Sequence, residues 1–448
     1  MNGYDPVLLS RILTGLTLTV HIIYATIGVG VPLMIAIAQW VGIRKNDMHY
    51  ILLARRWTRG FVITVAVGVV TGTAIGLQLS LLWPNFMQLA GQVISLPLFM
   101  ETFAFFFEAI FLGIYLYTWD RFGNQKKHLL LLIPVAIGAS ASAMFITMVN
   151  AFMNTPQGFE FKNGELVNID PIAAMFNPAM PTKVAHVLAT AYMTSAFVLA
   201  SIAAWHLWKG NRHIYHRKAL HLMMKTAFIF SVASVLIGDL SGKFLAEYQP
   251  EKLAAAEWHF ETSSHAPLVL FGMLTEDGEV KYAIKIPYAL SILAHNHPGA
   301  VVTGLNEFPE DERPPLYIHY FFDVMVTIGV FLTVVAAAYW LGSIFRWKWT
   351  AKKWFFGLLV AGGPLAMVAI QAGWYLAEIG RQPWILRGYM KTAEGATSSA
   401  HVDTMLVLFC LLYMVLVIAS AIVLIRMFRR NPVERELAER ANNGEVAP

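Results

Sequence analysis

Nine apolar runs, each long enough to cross a lipid bilayer, dominate this 448-residue chain. About 20 apolar residues in a helix span the hydrocarbon core. Inside it every backbone N–H and C=O must bond within the segment, so each run is restricted to a helix. The runs predict helices at about 9–42, 52–83, 96–119, 128–153, 183–208, 218–240, 318–345, 353–378 and 400–428. Composition agrees, with 57% hydrophobic and only 14% charged residues, too little charge for a soluble domain of this length. The fold class is therefore all-α, a polytopic membrane protein of about nine transmembrane helices. The start Met-Asn-Gly-Tyr-Asp lacks a basic n-region and the first run is too long for a cleavable signal peptide.

The basic residues sort by loop. Arg44, Lys45, Arg55 and Arg56 follow helix 1, and Arg121, Lys126 and Lys127 follow helix 3. Lys209, Arg212, Arg217 and Lys218 follow helix 5, Arg346, Lys348, Lys352 and Lys353 follow helix 7, and Arg426, Arg429 and Arg430 close helix 9. With an odd helix count these segments share one side, which the positive-inside rule makes cytoplasmic. The N-terminus is then outside and the C-terminus cytoplasmic. The net charge of +5 reads as these loops, not as a nucleic-acid surface. The single cysteine, Cys410, excludes an internal disulfide framework or a cysteine metal cluster.

Residues 1–430 read as one transmembrane domain and 431–448 as a polar cytoplasmic tail that frays. Two outer loops are long, 154–182 and 241–317, and the second is too long for a mere connector. No internal repeat is evident.

Intramembrane ionisable groups are costly and mark function. His21 lies about a dozen residues into helix 1. Helix 3 carries Glu101 and Glu108, seven apart on one face and about 10 Å apart along the axis, a spacing suited to a proton relay or to structural pairing. His186 opens helix 5, Asp239 ends helix 6, and Glu378 ends helix 8. Met325 alone would read as core filler. His186, Met325, Asp239, Lys252 and Glu378 all fall toward the outer face. Haem iron takes His, Met or anionic oxygen ligands, and without a CxxCH motif any haem is non-covalent. The pair His295 and His297 reads as loop polarity in preference to a surface metal site.

Several segments together resemble subunit I of the cytochrome bd family of quinol oxidases. They are AFFFE ending at Glu108, WDR at Trp119–Arg121, VNAFMNTPQG at Val149–Gly158, GDLSG at Gly238–Gly242, KLAAAE at Lys252–Glu257 and GRQPW at Gly380–Trp384. The likeness runs from Ser10-Arg11 through helix 9. It implies a terminal quinol:oxygen oxidoreductase that makes proton motive force without pumping. It further implies His186 and Met325 as axial ligands of a low-spin haem b558. His21 and Glu378 would serve haems b595 and d, with the order of the two left open. Trp374 would stand among the haems and Arg381 would meet a propionate. Lys252 and Glu257 would bind quinol in a short "Q-loop" at 241–317, with the quinol proton released outside. Glu108, Ser140 and Glu101 would carry cytoplasmic protons to the site of O2 reduction. Asp323 departs from the family, which often has arginine two residues before the ligating methionine. Implied partners are a second membrane subunit (subunit II), with room for a small single-helix subunit, in a bacterial or archaeal cytoplasmic membrane. Two other readings stand beside this one, a bb-type oxidase lacking haem d and a proton-coupled transporter. The transporter would carry inverted repeats with broken helices, which the sequence does not show.

Overall fold

The computed structural model describes residues 5–275 and 278–442. Among them nine helices are long and apolar enough to span a membrane: α1 Pro6–Lys45, α2 Met48–Leu82, α3 Pro84–Tyr117, α4 Gln125–Asn154, α5 Met180–Trp208, α6 Ile214–Tyr248, α7 Ile318–Ile344, α8 Lys353–Ile379 and α9 Val402–Arg430. Local chemistry sets their ends. Asp5 caps α1, accepting from the amides of Val7 at 2.9 Å and Leu8 at 3.1 Å, with Pro6 in the first turn where its missing N–H is harmless. Asn46 closes α1 in the left-handed region at φ 48°, and Asp47 at once caps α2. Because the helices alternate in direction, the basic segments gather at one end of the bundle and the long loops at the other.

Two groups of helices make the bundle. In the first, α5 packs on α6, α6 on α7, α7 on α8 and α8 back on α5, a closed ring in which α5 faces α7 across a diagonal. In the second, α1 packs on α2, α4, α5 and α9, while α3 lies along α4. Gly138 lets α3 and α4 approach closely: a Cβ there would lie 2.9 Å from Ala104 O and from Glu108 N. The largest core, around Met34, Leu52, Leu53, Phe197 and Met224, sits in the basic half.

Three expectations need correction. Helix α3 begins at Pro84, about three turns before residue 96, because Phe86, Ala90, Val93 and Ile94 bury against the 154–182 loop and the segment after α8. Helix α6 continues to Tyr248 instead of stopping near 240. Its extra turns are apolar on one side, and Gly242 leaves room for Leu293 of the short helix Ala289–His295. The loop at 241–317 therefore starts as helix. It continues through the short helix Pro250–Ala256 and antiparallel two-stranded pairs such as Leu268–Leu270 with Ile284–Ile286. Finally, the tail does not simply fray. Residues Val433–Asn442 form a helix whose Glu436 binds Arg56 and Arg59, with Val433 buried in the main core.

Candidate functional site

The sequence-predicted ligands collect at the loop-bearing end. His186 lies six residues into α5 and Met325 seven into α7, each about 10 Å from the helix start at that end. Since α5 and α7 are diagonal in the four-helix ring, the two residues stand on opposed helices, each a similar rise from its helix start. Glycines stand beside both: a Cβ on Gly238 would lie 3.6 Å from the His186 ring and one on Gly373 3.0 Å from Met325 Sδ.

His21 of α1 faces α2. Its Nδ1 is 2.9 Å from Thr71 Oγ1, and that hydroxyl is also within hydrogen-bond reach of the carbonyls of Val67 at 2.9 Å and Gly68 at 3.1 Å. When that hydroxyl donates to a helix carbonyl, its oxygen accepts from Nδ1–H, the tautomer in which Nε2 is unprotonated and able to bind a metal. Gly72 permits this placement, since a Cβ there would meet the ring at 3.1 Å. The hydroxyls of Thr19 and Tyr375 bond at 2.5 Å, tying the His21 helix to α8 one turn from Glu378. Trp374 precedes Tyr375 on α8 and is half-buried.

Glu378 is the centre of a charged cluster. Asn150 of α4 donates to its Oε1, Arg381 donates to Oε2 at 2.9 Å, and Lys183 of α5 holds the Asn150 carbonyl at 2.7 Å. Lys252 is 3% exposed and donates to the carbonyl of Ala377 at 3.2 Å. Burial pushes the Lys252 amine down to about 8, with Arg381 adding to the effect and Glu378 and Glu251 opposing it. Lys183, Lys252 and Arg381 thus gather about one carboxylate, a set of buried basic groups that a further carboxylate would complement.

Glu257, five residues from Lys252, faces elsewhere. It is fully buried, its Oε2 accepts from the amide of Val269 at 3.1 Å, and its Oε1 has no partner among the described residues. Burial raises its carboxyl well above the ordinary range; the Val269 amide opposes this and the charge of Asp323 adds to it. The two quinol residues expected as a pair therefore point into different surroundings, Lys252 toward Glu378 and Glu257 toward α7.

In the second helix group Glu108 is buried, 5% exposed, against Gly138 of α4. Ser140, two residues on, bonds the Tyr192 hydroxyl at 2.7 Å and not Glu108. Glu101 is half-buried, with Ser142 at 3.5 Å. Asp239 proves to be half-exposed and paired with Lys243, four residues on. Sequence reasoning passed over Asn150, Lys183, His319 and Trp258. Only Asn150 lay in a quoted motif. His319 and Asp323, spaced i, i+4 at the start of α7, form an ion pair at 3.1 Å, and that spacing was the available signal.

Nine candidate spans among the described residues, with half-buried His, Met and carboxylate side chains set into them, suit a membrane-embedded haem oxidoreductase. The family model for cytochrome bd terminal oxidase subunit I matches residues 9–432, and the chain belongs to that family. It is 42% identical over 443 residues to a Bacillus subtilis strain 168 protein provisionally named cytochrome bd menaquinol oxidase subunit I, covering 97% of this chain and 99% of that one. It is 31% identical to the same organism's cytochrome bd ubiquinol oxidase subunit 1, covering 92% of this chain and 91% of that one. A solved bd oxidase from Geobacillus thermodenitrificans superposes with a TM-score of 0.93 at 94% identity, covering 96% of this chain and all of that one. The chain is thus a multi-pass subunit of a terminal quinol oxidase, a haem enzyme that works with a subunit II in a bacterial membrane complex.

The residues present fit haem. His186 Nδ1 and Arg381 Nη1 are among the buried nitrogens that lack partners within the described residues, and glycines leave space at His21, His186 and Met325. The cationic cluster beside Glu378 matches the charge of propionates.

Proposed function

We propose that this subunit oxidises quinol at its loop-bearing end, on the outside of a bacterial cytoplasmic membrane, with the N-terminus outside and the C-terminus inside. The diagonal placement of His186 and Met325 carries the reading, because residues on opposed helices, each a similar rise from its helix start, can bracket a planar macrocycle. These two would hold the low-spin haem b558. His21 and Glu378 would hold haems b595 and d, with Trp374 beside them. Bound haem supplies electron transfer and the reduction of O2 to water.

The chain's own residues do the rest. Glu257, buried next to the loop backbone with a free Oε1, takes the quinol proton and releases it outside. Lys252 polarises a carboxylate or quinol oxygen from the Glu378 side, and Arg381 holds a propionate. Glu108 is a buried acid on the path from the basic end, with Ser140 and Tyr192 on the adjacent helices and Glu101 nearer the loops. Taking the two sets of protons on opposite sides separates charge, and no pump is required. The 42% identical relative's name mentions menaquinol, which makes menaquinol the first donor to assay. A second membrane subunit of similar size completes the complex.

The decisive experiment is Met325→Leu with a reduced-minus-oxidised spectrum. Loss or conversion of the low-spin b signal is expected, whereas an unchanged signal removes Met325 as ligand. The same spectrum of the unaltered protein distinguishes haem d from a second b-type haem.

A further inference from the structure

The quinol-oxidising loop leaves the bundle after α6 and returns at α7, and one histidine at the start of α7 holds two points of its outgoing stretch. His319 is fully buried one residue into α7. Its Nδ1 lies 2.7 Å from the carbonyl of Ala256, on the outgoing limb directly before Glu257. Its Nε2 lies 3.2 Å from the carbonyl of Phe271, further along the loop beside the strand Leu268–Leu270, and 3.1 Å from Asp323 Oδ2. Carbonyl oxygens only accept, so both ring nitrogens donate and the ring carries both protons. Asp323 completes the grip by accepting from the Phe271 amide at 2.5 Å, so both backbone polar groups of Phe271 are held from α7.

The neighbouring backbone is strained in the same places. Trp258 and Phe271 both occupy the left-handed region, at φ 47° and 57°, which bulky side chains seldom adopt. Each such residue costs on the order of 1 kcal/mol and persists only where its surroundings hold it. Trp258 stacks on His319 with ring centroids 3.8 Å apart and anchors its indole N–H on the carbonyl of Leu316 at 2.9 Å. Glu257 sits between the two anchor points, preceding Trp258 and bonded to Val269 two residues before Phe271.

We propose that His319 is the positioning residue of quinol oxidation: its two-sided clamp on Ala256 and Phe271 sets where the Glu257 carboxylate stands relative to quinol. This rests on the reading that Glu257 acts on quinol. The ring need not touch substrate or haem, and its role is to keep Glu257 and the left-handed Trp258 and Phe271 in register with α7. A loosened loop would displace Glu257 by an ångström or so, enough to lower quinol turnover strongly.

The test uses the purified complex carrying His319→Phe, His319→Gln or Glu257→Gln. Each is assayed with a short-chain quinol, with a one-electron phenylenediamine donor that bypasses the loop, and by reduced-minus-oxidised spectrum. Phenylalanine preserves the stack on Trp258 and removes both hydrogen bonds. We expect it to lower quinol kcat/KM on the order of tenfold or more, with the artificial donor rate and low-spin spectrum kept. Glutamine, which retains a donor toward one of the two carbonyls, should fall between. If His319→Phe does not accumulate with normal haem content, His319→Gln decides on the same criterion. Quinol kcat/KM at the unaltered level, or equal loss with both donors, overturns the proposal. If Glu257→Gln is quinol-selective while the His319 variants are not, the clamp alone is wrong. If Glu257→Gln is itself unselective, the underlying reading falls and the clamp falls with it.

Discussion

Arg381 donates from Nη2 to Glu378 Oε2 at 2.9 Å, across the turn where α8 ends. With Asn150 on the other oxygen, the Glu378 carboxylate is held at two points in one orientation. Arg381 itself is 6% exposed, and its Nη1 has no partner among the described residues, so it has a hydrogen bond left for a bound anion.

Arg381→Gln removes that charge and loosens Glu378. A charge-assisted hydrogen bond is worth about 1.5–3 kcal/mol, so haem retention near Glu378 should weaken by roughly tenfold or more. The measurement is the haem-to-protein ratio after purification, by pyridine haemochrome. A full complement that resists extraction as the unaltered protein does would refute it.

Glu257 predicts a pH dependence. Its folded carboxyl titrates well above the ordinary 4.5, chiefly because burial penalises the charge. In its proposed role as proton acceptor it must be ionised, so quinol kcat/KM should climb with pH through this raised range. Glu257→Gln should erase that limb, and a limb that survives would point to another base. The stability sign follows from linkage. Between the unfolded and folded values the native state binds more protons, so this group's favourable contribution is complete below the unfolded value and is lost as pH rises through the folded one.

Close approach of α3 and α4 depends on Gly138. A leucine there would push on backbone atoms of Ala104 and Glu108 at 2.9 Å and should destabilise the protein by about 1–3 kcal/mol. Thermal unfolding in detergent measures this as a lower Tm. Gly113→Ala is the control, because a Cβ at that helical position meets nothing within 4 Å and should leave Tm equal or higher.

The tail helix is held at the basic end by Glu436 between Arg56 and Arg59. Glu436→Ala should release Val433–Asn442, at a local cost of about 1–3 kcal/mol. Amide exchange across these residues should accelerate while the haem spectrum stays unchanged. Unaltered protection would show that Val433 and Leu437 hold the helix by packing alone.

The nine spans and the segregation of basic loops were legible in the sequence because the bilayer imposes them locally. A run of apolar residues either crosses the membrane or does not, whatever its neighbours do. The resemblance in segments such as GRQPW and KLAAAE likewise marked the family before any packing was known. Tertiary structure decided which side chains meet. Lys252 and Glu257 share one short stretch, yet the first turns to Glu378, 126 residues on, and the second to Val269 and toward Asp323. The additional turns of α3, the docking of the tail and the grip of His319 on two points of the loop depend in the same way on distant partners. Hydropathy reports the solvent each segment prefers, whereas the partner of a buried polar atom is set by how helices far apart in the chain pack against one another.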